Sequence, residues 1–95
     1  MELKNMNIDK YKNLRYRLME SETWPLKYMF KFIVPNEAGK VDQVKALLPK
    51  EGKVTFKHTA NLKHVSVTCV ALMESADQII VITEKVDKIE GVIVL

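Results

Sequence analysis

The chain has 95 residues, 47 % hydrophobic and 28 % charged, with a net charge of +3. Those values describe one globular domain with enough apolar residues for a single core; they exclude a disordered chain and a large single-sign field. One cysteine, Cys69, excludes an intramolecular disulfide, and no apolar run approaches the roughly 18 residues of a membrane span.

The opening stretch, MELKNMNIDKYKN, lacks the apolar core of a signal peptide, so a reducing, cytoplasmic location is expected. Residues 1–7 are polar and uncapped and should fray. From Ile8 the apolar positions Ile8, Tyr11, Leu14, Leu18 and Met19 recur at intervals of three and four, which predicts an amphipathic helix. Trp24-Pro25 ends it. Leu26 to Val34 then alternates. Leu26, Tyr28, Phe30, Phe32 and Val34 form a buried set, with Lys27, Met29, Lys31 and Ile33 on the other side. Pro35 stops this strand, and Asn36 is placed to cap the next helix through its side-chain oxygen. Val41, Val44, Leu47 and Leu48 stripe that helix, which Pro49 terminates.

Glu51-Gly52 predicts a turn, and Lys53 to Thr59 a strand with Val54 and Phe56 on its core face. A hairpin loop at Asn61-Leu62 leads into a strand that buries Val65, Val67 and Cys69. Ser75 and Gln78 have capping-box spacing. Ile79 to Ile82 is a run that also suits a buried strand, but the cap and the stripe Ala76, Ile79, Ile82, Val86, Ile89 favour a helix. Glu84 and Lys88 are spaced for an i,i+4 ion pair, Gly91 closes the helix, and Val92 to Leu95 forms a last strand. The fold class expected is α+β: a ferredoxin-like βαββαβ sandwich, a four-stranded antiparallel sheet with two helices on one face, plus an N-terminal helix. Residues 1–24 read as an extension and residues 25–95 as the domain.

Catalytic signals are absent. Register that buries Val54 and Phe56 beside Val65 and Val67 pairs Phe56 with Val67 and His58 with Val65. It leaves His58 partly buried on the core side and His64 solvated on the open side, so the two cannot share a metal. Cys69 lies mid-strand among apolar neighbours, a place for a small core residue and not a nucleophile. The carboxylates fall in caps, turns and helix faces, and there is no glycine-rich phosphate loop. We therefore expect no enzyme, no metal and no cofactor.

The open sheet face should display Lys27, Met29, Lys31 and Ile33, with Thr55, Lys57 and Thr59, and Ser66, Thr68 and Val70. It is mildly basic but has no aromatic platform for base stacking, so nucleic-acid binding through Lys27, Lys31 and Lys57 is the alternative reading. The uncharged last strand belongs at a sheet edge and invites pairing, which points to a homodimer or a protein partner.

The stretches WPLKYMFKFIVPN and KHVSVTCVALMESADQIIVITEKVDKIEGVIVL resemble the YbeD-like family of small bacterial domains of unknown function, over residues 14 to 95. The resemblance rests on an aromatic-proline before the first strand, an HVSVT-type third strand, the second helix and a terminal strand. That family is similar to ACT-type regulatory domains, which bind amino acids and control metabolic enzymes. The resemblance implies a regulatory module that binds a small metabolite or a protein partner. ACT-type domains open their first helix with a polar residue, a glycine three residues on, and an aliphatic two beyond that. Asn36, Glu37, Ala38, Gly39, Lys40 and Val41 echo this, with Ala38 where proline is usual. A glycine admits close ligand approach, and helix-start N–H groups can hold a carboxylate. The same stretch also serves as a plain strand-to-helix connector. ACT-type sites usually form between subunits, so the ligand reading requires a dimer.

Overall fold

The computed structural model describes residues 9–21 and 23–95. The fraying expected of residues 1–7 and the helix start expected at Ile8 lie outside the described residues. A 3-10 turn, Asp9–Tyr11, leads into helix α1, Lys12–Ser21. Strand β1 follows at Leu26–Pro35, helix α2 at Lys40–Leu47, strand β2 at Lys53–His58, strand β3 at His64–Met73, helix α3 at Ala76–Asp87 and strand β4 at Ile93–Val94. The sheet order is β2-β3-β1-β4, antiparallel at each pairing. This is the ferredoxin-like α+β arrangement expected from the chain.

Period two decides which side of the sheet is covered. On β1, Phe30, Phe32 and Val34 are buried, while Lys27, Met29 and Lys31 are exposed. Val65, Val67, Cys69, Ala71 and Met73 supply the matching face of β3. Val44 and Leu48 from α2, and Ala76, Ile79 and Val86 from α3, complete the core. Tyr28 and Phe30 meet edge to face at 4.9 Å, and all three β1 aromatics sit on the helix side. The Phe56–Val67 and His58–Val65 register is as the burial pattern requires. β3 and β1 are central: β3 buries Val65 to Met73 on its helix side, and β1 buries Phe30, Phe32 and Val34, whereas Leu26 and Tyr28, expected in the buried set, are only half-buried near the start of the strand.

Edge position explains the departures. β2 lies outermost, so Phe56 faces the helix side yet is 45 % exposed, with Lys45 Nζ 5.9 Å from its ring centre. His58, expected to be partly buried, is exposed for the same reason, and His64, expected to be solvated, is half-buried. The hairpin loop is longer than two residues: Thr59 N donates to His64 O at 3.0 Å, and Leu62 takes a left-handed conformation with φ 61°. β1 continues through Pro35, which faces His64.

α3 is a helix, not a strand. Ser75 Oγ accepts from Gln78 N at 3.2 Å, and Gln78 Oε1 accepts from Glu74 N at 2.9 Å, one residue before the usual capping-box donor. The apolar stripe is wider than the sequence suggested, because Ile80 and Thr83 are also buried. Thr83 Oγ1 donates to Ile79 O at 2.8 Å, which makes its burial tolerable. The Glu84–Lys88 pair does not form. α3 stops at Asp87, and Lys88 caps it beyond the last turn.

α1 packs on α3. Arg15 pairs with Asp77 at 3.1 Å, and Lys10 and Tyr11 both engage Asp87. Asp77, Ile80, Glu84 and Asp87 share one helical row, so Ile80 lies under α1 between its two polar fastenings. Leu18 joins the core cluster itself.

Candidate functional site

The turn between β1 and α2 is held from several directions. Asn36 N donates to Lys63 O at 2.9 Å, and Asn36 Nδ2 donates to Leu62 O at 2.8 Å. The side chain of Asn36 therefore clips the turn to the β2–β3 loop and does not cap α2. Glu37 N donates to Pro35 O and Lys40 N to Glu37 O, which tightens the chain before the helix. Gly39 occupies the cap position with φ 85° and ψ −16°, a left-handed conformation that suits glycine, and α2 has no side-chain cap.

Gln43 N donates to Gly39 O, but the N–H groups of Val41 and Asp42 find no acceptor among the described residues. A methyl group on Gly39 would meet no atom within 4 Å. Glu37, Ala38 and Gly39 are exposed. Lys40 Nζ donates to Glu90 O at 2.8 Å, so that cation is anchored to the loop before β4. Val41 is half-buried against the core. Of the six predicted residues, Asn36, Lys40 and Val41 thus have structural partners. Glu37–Gly39 and two free amides form the open part. Two N–H groups at a helix start can hold one carboxylate or phosphate edge, although Asp42 places a negative charge beside them.

Elsewhere, a groove of about 610 Å³ runs between the end of α2 and the start of α3, lined by Leu47, Pro49, Glu51, Leu72, Gln78 and Val81. It escaped the sequence because its residues come from two stretches, 47–51 and 72–82, that lie apart in the chain. Cys69 is fully buried, and burial pushes its thiol pKa up, so it stays protonated at neutral pH. Among the described residues no group of three or more His, Cys, Asp or Glu is placed to hold a metal, and no helix is long and apolar enough to cross a membrane.

The family model for proteins of unknown function designated DUF493 matches residues 20–95. The chain belongs to the DUF493 family. This supports the YbeD-like resemblance carried by its strands. Among curated proteins, none matches this DUF493 chain. A solved structure similar to it is the ACT domain from the GTP pyrophosphokinase of Chlorobium tepidum, with a TM-score of 0.52 and 14 % identity. The alignment covers 72 % of this chain and 94 % of that domain. At that identity the likeness is one of fold. This DUF493 chain shares the architecture of an ACT domain over the aligned part.

Proposed function

We propose that this chain is a non-catalytic regulatory module of ACT type that binds a small carboxylate-bearing metabolite at the Asn36–Val41 turn. The observation that carries the reading is the unfilled start of α2. Gly39 faces open space ahead of two amides without acceptors. Likeness of fold to a domain of a GTP pyrophosphokinase supports the regulatory class. The turn offers one wall only, so a second copy supplies the other, and the module acts as a homodimer in the cytoplasm.

An amide NMR titration with pooled amino acids and common carboxylate metabolites tests this. Shifts should concentrate on Asn36 to Val41 and the Asp42 amide. Gly39→Asn keeps the left-handed backbone accessible while filling the open space, and should weaken the response about tenfold. A silent spectrum from folded protein would reduce the turn to a connector.

A further inference from the structure

β4 covers only part of β1. It pairs with Phe32 and Ile33, and Leu95 N donates to Lys31 O at 3.0 Å, whereas β1 runs back to Leu26. In an antiparallel ladder, alternate residues turn both backbone groups toward the same neighbour. The Leu95 bond fixes Lys31 as a residue turned toward β4. Met29 and Lys27 turn the same way, and Tyr28 and Phe30 turn to β3. Among the described residues nothing pairs with the N–H and C=O groups of Lys27 and Met29, or with the N–H of Lys31.

The same three residues project their side chains from the open face. On that face the strands carry Lys27, Lys31, Lys53 and Lys57 and no acidic side chain. Met29 stands opposite Val70, beside Leu72, and Met29 and Leu72 are 58 % and 64 % exposed. Unpaired backbone and an acid-free, apolar-centred face therefore meet at Lys27–Lys31.

We infer that the open half of the β1 edge takes up an extended segment of an acidic partner protein as an added strand, in line with β4. Main-chain bonds supply affinity in such an addition, and alternate side chains select the partner. Leu95 already stands opposite Lys31, so the added segment begins beside it: the residue opposite Met29 is apolar and the one opposite Lys27 acidic, an apolar–x–acidic pattern. Nucleic acid and lipid offer no donors and acceptors at strand spacing, and the face has no aromatic for base stacking. A second copy is a poor occupant. β1 against β1, centred on Met29, sets lysine opposite lysine, and β2 brings Lys53 and Lys57 to the same place. The inference is independent of the metabolite reading, since it uses the other end of β1.

The test uses a labelled peptide, Val-Leu-Val-Glu-Thr, and a copy with lysine for the glutamate. The acidic peptide should bind, shift the amides of Lys27 to Lys31, and slow hydrogen exchange at the Met29 N–H. The variant Lys27→Glu should reverse the preference between the two peptides. Met29→Pro removes only an outward N–H, which leaves the β3 ladder whole, and should weaken the acidic peptide about tenfold. Should that variant not fold, the charge reversal still decides. The inference is overturned if the acidic peptide leaves these amides unmoved, if the reversal changes nothing, or if only RNA or phosphatidylglycerol vesicles protect this edge.

Discussion

At the scale of single residues, Gly52 shows how closely the edge strand is seated. A methyl group there would lie 2.6 Å from Cys69 Sγ and 3.1 Å from Ala71 Cβ. Gly52→Ala should therefore destabilise by about 1–3 kcal/mol through overpacking, read as a lower urea midpoint. Adding Cys69→Ala should return part of that loss, because the sulfur is the nearer obstacle. Sequence alone marked Gly52 as a turn residue and Cys69 as core, but not that one constrains the other. The same limit applies to Asn36. Its type permits a cap, and only tertiary structure brings Leu62 O within reach of its amide. For His58 and His64 the facing was legible from alternation, but the degree of cover was not. Cover of His58 depends on how far the helices reach across the sheet, and that of His64 on the neighbouring strands, where Pro35 stands opposite it.

At the scale of elements, the helices and strands were legible because period and punctuation agree. Alternation defines β1 and β3, and Ser75 with Gln78 defines the start of α3. The docking of α1 was hidden, since an amphipathic helix does not state what it covers. Its clue was Ile80 on α3, a buried apolar residue outside the sheet-facing stripe. The fastening at Asp87 makes this contact sensitive to pH. Hydrogen bonding from Lys10 holds the Asp87 carboxyl below the usual carboxylate range, helped by Tyr11 against the opposing effect of burial. Burial, then the bond to Asp87 and the charges of Asp87 and Glu84, push Tyr11 well above its ordinary value, so it remains a donor. A carboxyl with a depressed folded pKa stabilises fully above its unfolded value of about 4 and loses that contribution as pH falls through the folded value. Hydrogen exchange in α1 should thus quicken on acidification below about pH 4, ahead of the β1–β3 core. Asp87→Asn should show quickened exchange already at neutral pH and a flatter acid response. If α1 exchange is unchanged through this range, the Asp87 fastening does not hold the helix.

At the scale of the whole molecule, the α+β architecture followed from the order of elements, because few connections join such an order into one sheet. Assembly did not follow, since a surface carries no periodic signal. The ligand reading predicts self-association at the turn end of the sheet. Light scattering at high micromolar concentration should give twice the monomer mass, and more fully with ligand present. A monomer mass under both conditions would remove the second wall on which that site depends.

The bond from Lys40 Nζ to Glu90 O has a consequence at this scale. It ties the start of α2 to the segment that delivers β4, and β4 is the strand beside the unpaired stretch of β1. Whatever draws the Lys40 ammonium toward an anion at the turn loosens the anchorage of β4. Whatever lengthens the sheet alongside β4 steadies it and holds Lys40 in place. An anion held at the turn and a strand added beside β4 would then be coupled through a single lysine, with the same coupling free energy whichever is bound first.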